Sequence, residues 1–348
     1  MIARPPLATC GLRRAQPTIH YPVKDTLDQL FSYRTLDPAQ AQGLMDGIVE
    51  GRFPPEQVAA LLAVYRMRLP TDAELEGFRD SLLKRAKRVD LDAGDAIDLV
   101  GTGGDRKDTF NITTLSALTV AACGHRVVKH GNGSASSKHG SSDTLRSAGV
   151  AFRQNEDDLR RQLDAANITF VHAPLFHPAL GPVAPIRRAL GVSTIFNLLG
   201  PLVNPAQPGY HYIGVADARM QSAYAASFQR HARGFNIVHA MDDYDEATLT
   251  GPVRCFTHHG RYTIQPRDVD LAPTSPNDIT VSAHDPTAQF LRVLRGAGTA
   301  AETDTVALNA GLAIELRTGR PLRDCVAAAR EALLAGRAYQ NFQKLLAA

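Results

Sequence analysis

No apolar run in this 348-residue chain approaches the roughly 18 to 20 residues that a membrane-spanning helix needs, so a membrane partner is not expected. Cysteine is scarce. The four residues Cys10, Cys123, Cys255 and Cys325 are scattered without a CxxC pair, which supplies neither a zinc cage nor a disulfide framework and suits a reducing cytoplasm. Charge of one sign is also lacking: 38 basic and 35 acidic residues leave a net +3, too little to make nucleic acid or an anionic membrane the main partner. A few lysines and arginines suffice for a small-anion pocket, and the balance permits one. The dinucleotide fingerprint GxGxxG and the P-loop pattern GxxxxGKS/T are both missing. There is no internal repeat of fixed period and no low-complexity tract.

What remains is the composition of a globular protein, with 44% apolar and 21% charged residues, enough for one large or two modest domains. The first 23 residues carry Arg4, Arg13 and Arg14, with no acid before Asp25, as an organellar transit peptide would. Pro5, Pro6, Pro17 and Pro22 break any amphipathic helix there, so residues 1–23 are expected to be a disordered extension.

Residues 24–92 read as a helical domain. Asp37-Pro38 places a capping residue before a proline at the first helical position. Val58, Leu61, Leu62 and Tyr65 follow the spacing of one buried helix face. Thr71 and Glu74 form the signature of a capping box for a helix bearing Leu75, Phe78, Leu82 and Leu83. From residue 93 to 348 the rhythm changes. Short apolar runs at Ala96–Val100, Arg126–Val128, Ile168–Val171, His211–Val215 and Phe235–Val238 predict strands. Helical stretches at Thr113–Cys123, Glu156–Ala166, Pro178–Leu190 and Ala218–Ala232 separate most of them, and the segment from Asp285 onward is again helical. The fold class is therefore α/β: a helical N-terminal domain beside a larger domain with a mostly parallel central sheet.

The first predicted strand runs into Gly101-Thr102-Gly103-Gly104-Asp105. A glycine cluster between strand and helix lets backbone N–H groups approach an anion, although an ordinary tight connection has the same look. Thr113-Thr114, near the start of the following helix, offer hydroxyls to cap it or to face a phosphate. A second loop, Lys129 to Asp143, contains three glycines, five serines, two lysines and two histidines in fifteen residues. That mix suits phosphate and ribose hydroxyls. Two such loops after consecutive strands lie on one edge of a parallel sheet, where α/β ligands bind. A third element, Val238 to Glu246, ends in Asp245-Glu246. Adjacent carboxylates usually mark a solvated loop, but beside a bound pyrophosphate they would hold magnesium.

These stretches resemble the anthranilate phosphoribosyltransferase family. The similarity lies in Gly101–Asp105 with Thr109 to Thr114, in Lys129–Asn132 running on to Asp143, and in Ala173–Pro178 through Arg187-Arg188. It continues in Thr194 to Pro205 and in Asp245-Glu246, in the family's order, from about residue 25 to the C-terminus. The resemblance implies an active site in the cleft between the two domains, a helical domain completed by part of 175–192, and a homodimer joined through the helical domain. It implies that Gly101, Gly104, Asp105, Thr109, Asn111, Ile112, Thr113 and Thr114 contact phosphoribosyl pyrophosphate. Lys129, His130, Gly131, Asn132, Gly133, Ser134, Ala135, Ser136, Ser137 and Ser141 would contact it too, with Lys129 and His130 positioning it. Gly101, Asn132 and Arg187 match the anthranilate contacts; Thr113, Asp245 and Glu246 match the positions for Mg2+, expected as two ions. Three positions depart from the common pattern: Thr113 for serine, Gly133 for a frequent arginine, which removes one positive charge, and Ser142 for alanine.

The implied reaction displaces pyrophosphate from the ribose by an aromatic amine that is neutral at pH 7. No strong base is required, and positioning plus leaving-group stabilisation can carry the chemistry. Arg187 would orient a planar carboxylate, although paired arginines more often sit on a solvated face. His130 and His177 are equally compatible with structural roles, and Phe196-Asn197-Leu198-Leu199 is expected to pack beneath the site. A pyrimidine nucleoside phosphorylase shares this architecture but has no use for a metal pair at Asp245-Glu246. A nucleic-acid-binding relative would carry a basic stripe that this sequence lacks.

Overall fold

The computed structural model describes residues 23–105, 107–132 and 141–348. The expected N-terminal extension, apart from Val23, and the expected contacts Gly133 to Ser137 therefore lie outside the described residues. Four helices come first: α1 (Val23–Phe31), α2 (Pro38–Val49), α3 (Pro55–Met67) and α4 (Asp72–Arg85). Both expected capping boxes form. Asp37 Oδ1 accepts the Gln40 N–H at 2.8 Å while Gln40 Oε1 accepts that of Asp37 at 3.1 Å. Thr71 and Glu74 do the same for α4, at 3.3 and 2.8 Å. The Val58, Leu61, Leu62 and Tyr65 face is buried, as is that of Leu75, Phe78, Leu82 and Leu83.

The sheet has seven strands: β1 (Ile97–Gly101), β2 (Val127–Gly131), β3 (Ile168–His172), β4 (Tyr210–Gly214), β5 (Gly234–Ala240), β6 (Val253–Thr257) and β7 (Gly260–Ile264). Their spatial order is β3-β2-β1-β4-β5-β6-β7. The first five are parallel, at the places the apolar runs indicate; β6 and β7 add an antiparallel edge that those runs did not reveal. From β1 the chain winds outward through β2 to β3, then returns to β4 on the other flank of β1. That reversal creates a crevice beyond the carboxyl ends of β1 and β4, the place where open α/β sheets take ligands.

Helices cover both faces. They are α5 (Ile112–Ala122), α6 (Ser141–Ser147), α7 (Glu156–Ala166), α8 (Ala173–Phe176), α9 (Ala184–Leu190), α10 (Ile195–Leu199), α11 (Met220–His231), α12 (Pro286–Leu294), α13 (Ala300–Thr318), α14 (Leu322–Leu334) and α15 (Arg337–Ala347). One core joins Leu115 and Leu118 of α5 to Leu308 and Leu312 of α13 against Leu99 and Tyr212 of the sheet. A second joins Leu61, Leu62 and Phe78 of the helical bundle to Val183, Ile195, Ile213, Phe228 and Phe235. The bundle thus sits on the α11 face by one continuous apolar cluster, and each buried phenylalanine contributes on the order of 1.5–3 kcal/mol. Among the described residues, no helix is long and apolar enough to cross a membrane.

Three expectations need correction. Lys129 to Gly131 are the last residues of β2, and Ser141 to Asp143 open α6, so the Lys129–Asp143 stretch is not loop throughout. Pro178–Leu190 is a 3-10 segment, Pro178–Val183, followed by the short α9; Pro182 lacks the N–H that a continuous helix would use. Helix α5 begins at Ile112 after Asn111, and neither Thr113 nor Thr114 caps it.

Candidate active site

A cavity of about 330 Å³ opens at the β1/β4 crevice. Gly101, Gly104, Asp105, Thr109, Asn111, Thr113, Thr114, Lys129, His130, Gly131, Asn132, Ser141, Arg187, Asp245 and Glu246 all line it. Ile112 does not; its side chain is fully buried in the core. The Phe196–Leu199 segment, expected beneath the site, is α10 and forms part of the wall: Phe196, Asn197 and Leu199 line the cavity themselves, as do Leu82 of the bundle and His177.

The acidic pair is the electrostatic centre. Asp245 Oδ2 accepts the Gly103 N–H at 2.6 Å. Glu246 Oε1 accepts from the N–H and the hydroxyl of Thr113, at 2.9 and 2.7 Å, and Oε2 accepts the Thr109 hydroxyl at 3.0 Å. Glu246 thereby supplies the N-terminal turn of α5 with a negative partner that its own sequence lacks. Burial, then the charges of Glu246 and Asp105, push the Asp245 carboxyl well up. Burial likewise pushes Glu246 up, against the pull of the Thr113 donors. One Asp105 carboxylate oxygen, Oδ2, is buried without a partner among the described residues.

Gly101 owes its identity to this pair, because a Cβ there would come within 2.5 Å of Asp245 Oδ2. Gly103 and Gly104 turn the chain away from β1 with φ of +68° and +90°, values that side chains disfavour. Residues 108–110 are fastened from outside the sheet: Asp108 O accepts the Val281 N–H at 2.8 Å, and the Phe110 N–H donates to Ile279 O at 3.3 Å.

Beneath the floor lies a network that pattern reading did not identify. Asp98 on β1 is fully buried; its Oδ1 accepts the His130 backbone N–H at 3.1 Å and its Oδ2 the Asn204 amide at 2.9 Å. Burial pushes its carboxyl up to about 6, against the pull of the nearby Lys129. The Lys129 ammonium donates to Leu99 O; burial pushes its pKa down, against the pull of Asp98, Glu246 and Asp245. His130 Nδ1 faces Gly200 O at 3.1 Å; a carbonyl only accepts, so that nitrogen carries the proton and Nε2, without a partner among the described residues, is an acceptor. Burial holds His130 down to about 3 and His177 down to about 4, so both rings are neutral at pH 7.

On the bundle side the two adjacent arginines part. Arg188 is exposed, while Arg187 turns into the cavity, half-buried, with Nη2 donating to Asn197 Oδ1 at 3.3 Å and its guanidinium 5.5 Å from the Phe196 ring centre. Among the described residues no carboxylate pairs with Arg187, which leaves the rest of the planar fork available to an acidic ligand.

Comparison with known proteins points the same way. Residues 93–339 match the a/b domain of a glycosyl transferase family, and residues 24–86 match that family's helical bundle domain. The chain is 43% identical over 325 residues to the anthranilate phosphoribosyltransferase of Cytophaga hutchinsonii, covering 92% of this chain and 99% of that one. It is 40% identical over 327 residues to the enzyme of the same name from Bacteroides fragilis, covering 93% and 99%. Among solved structures, anthranilate phosphoribosyltransferase from Thermus thermophilus superposes with a TM-score of 0.86 at 32% identity, over 93% of this chain and 98% of that one. The Saccharomyces cerevisiae enzyme, solved in complex with PRPP and Mg, shares the fold with a TM-score of 0.84 at 20% identity, over 93% and 97%. With both domains matched, and relatives aligned over nearly their full length, the chain belongs to the anthranilate phosphoribosyltransferase family of glycosyl transferases.

Proposed function

We propose that this protein transfers the phosphoribosyl group of phosphoribosyl pyrophosphate to the amine of anthranilate, giving N-(5-phosphoribosyl)anthranilate and pyrophosphate in tryptophan biosynthesis. The observation that carries the reading is a cavity whose two sides carry opposed chemistries: a buried acidic pair on the sheet side and a carboxylate-free Arg187 on the bundle side. An anionic sugar donor would not settle on bare carboxylates. Their raised proton affinity, the Thr113 hydroxyl and the unpartnered Asp105 oxygen are the hard oxygen set that a divalent cation takes. Mg2+ would complete its shell there with substrate phosphates and water. Thr113, Asp245 and Glu246 would hold it, with two ions as our reading. When bound, the metal supplies positive charge that stabilises the departing pyrophosphate.

The protein's own groups do the rest. Gly214 O takes the Thr102 N–H and Asp245 takes that of Gly103, so we assign the N–H groups of Gly104 and Asp105, with those that follow Gly131, to the phosphates. The buried Lys129 ammonium adds positive charge, and Asp98 holds the His130 backbone in register. Arg187 orients the anthranilate carboxylate from the bundle side, and Asn132 lines the same cavity. His130 Nε2, neutral and accepting, is suited to receive an N–H of the attacking amine. We assign the remaining expected contacts, Gly104, Thr109, Asn111, Thr114, Gly133 to Ser137 and Ser141, to the sugar donor, and leave out Ile112, which is buried in the core away from the cavity. We place the enzyme in the cytoplasm, where its unpaired cysteines stay reduced, and we propose a homodimer formed through the helical bundle. There Phe31, Tyr33 and Met67 are 58, 84 and 82% exposed on or beside the touching helices α1 and α3.

Mixing the protein with anthranilate, phosphoribosyl pyrophosphate and Mg2+ is expected to consume anthranilate fluorescence, and a chelator should stop it. Unchanged fluorescence across a range of Mg2+ concentrations would refute the activity. Arg187→Ala should raise KM for anthranilate about 10- to 100-fold, the worth of a charged hydrogen bond, and leave the Mg2+ requirement alone. An unchanged anthranilate KM would place Arg187 outside the acceptor site.

A further inference from the structure

We infer that Asn309, on a helix remote in sequence from the site, is a positioning residue that brackets the backbone carrying Asp245 and Glu246. The inference rests on the proposed role of that pair as cation holders. Asn309 lies on α13 and is fully buried among alanine and leucine. An amide is a poor choice there: asparagine disfavours the helix interior, and burying an unpaired amide is costly. Every hydrogen-bonding capacity of this amide is used. Its Oδ1 accepts the Tyr212 hydroxyl at 2.7 Å and the Ala247 N–H at 3.0 Å; its Nδ2 donates to Ala247 O at 2.6 Å and to Thr305 O at 2.8 Å.

Two of those bonds grip the same residue, Ala247, by its N–H and its C=O, as a neighbouring strand would. Ala247 immediately follows Glu246, and the segment from Asp242 to Gly251 contains no helix or strand of its own to hold it. Tyr212, on β4 and buried, fixes the amide's orientation, because its hydroxyl must donate to the oxygen. The bracket thus ties the acidic pair to α13 and β4. Helix α13 also packs along α5, whose Thr113 donates to Glu246. One rigid helix therefore backs both the carboxylates and their donors. A leucine of similar volume would fill the space and free the Ala247 peptide, so the bonds rather than the packing set the geometry.

The test uses the full-length protein, with Mn2+ as a paramagnetic probe titrated in the presence of phosphoribosyl pyrophosphate. Asn309→Leu should weaken Mn2+ binding by about tenfold or more, and Tyr212→Phe, which deletes one bond, by about threefold. Anthranilate KM should stay within about twofold in both, because Arg187 stands on the bundle side of the cavity. Mn2+ affinity equal to wild type in these variants would overturn the inference. If Asn309→Leu fails to fold, Tyr212→Phe decides alone: about threefold weaker binding supports the bracket and unchanged binding removes it. An equal loss of Mn2+ and anthranilate affinity would mean general damage and would also overturn it. Should wild-type protein show no Mn2+ binding that Asp245→Asn abolishes, the cation-site reading itself falls, a result distinct from unchanged variants.

Discussion

Asp245→Asn is expected to lower kcat/KM by about 100- to 1,000-fold while making the metal-free protein more stable, not less. The two effects share one cause. Asp245 is buried beside Glu246 and Asp105, and its carboxyl is pushed up first by burial and then by those neighbouring charges. An acid whose folded pKa lies above its unfolded value favours its protonated form in the fold, so near neutral pH, where it must ionise, it detracts from stability. Asparagine keeps an oxygen for the Gly103 N–H at 2.6 Å and deletes the charge. Lys129 answers part of the negative charge but also faces Asp98 and Glu246, so the removal is net relief. The expected gain is at least about 2 °C in the thermal midpoint, measured in chelator. Catalysis loses a carboxylate oxygen that the metal-bound donor would use. Kinetics at saturating Mg2+ and an unfolding scan decide the matter. A variant that melts earlier and keeps its activity would make Asp245 a structural carboxylate.

That trade-off could be read from the pair's chemistry only once the fold had brought Asp105 and Asp245 together. What the sequence displays well is whatever is local. The five parallel strands are continuous apolar runs because strands covered on both faces need no alternation. Strands β6 and β7 escape that rule. Gly260–Ile264 is an edge strand, exposed along most of its length, and Gly-Arg-Tyr-Thr carries little apolar signal. Glycine clusters after β1 and β2 mark the two loops proposed to take phosphate for the same local reason. The partners of those loops are not local. Gly103 meets Asp245 across 142 positions, His130 meets Asp98 across 32, and Asn309 meets Ala247 across 62. Asp98 and Asn309 are each a single polar residue within an apolar segment, where no period or spacing singles it out. Arg187 and Arg188 show the limit most simply. Successive residues on a helix point about 100° apart, so one of the two had to face the cleft; only the seat of α9 against the bundle selects Arg187.

Gly214→Ala should be the most damaging single methyl group in the molecule. Gly214 ends β4, pairs with Gly101 in the parallel register, and gives its carbonyl to the Thr102 N–H at 2.9 Å. A Cβ built on it would fall 1.7 Å from Asp245 O and 2.6 Å from Asp245 C. Both are backbone atoms, so no rotamer change can relieve the clash. Either β4 slides against β1, breaking the Thr102 contact, or the acidic loop lifts from the sheet edge. The loop is the softer of the two, held by side chains such as Gly103's partner Asp245 rather than by a ladder. A lift of about 1 Å would cost about 100-fold in kcat/KM through mispositioned carboxylates, with about 1–3 kcal/mol of stability lost to overpacking. Gly251→Ala is the control. It lies beyond the same loop, and an added Cβ meets nothing within 4 Å, so its activity should stay within about twofold of wild type. Steady-state kinetics on the two variants, with their thermal midpoints, separates the outcomes. Near-normal activity in Gly214→Ala would mean that the carboxylates tolerate displacement, and catalysis would then depend on charge in the cleft more than on its placement.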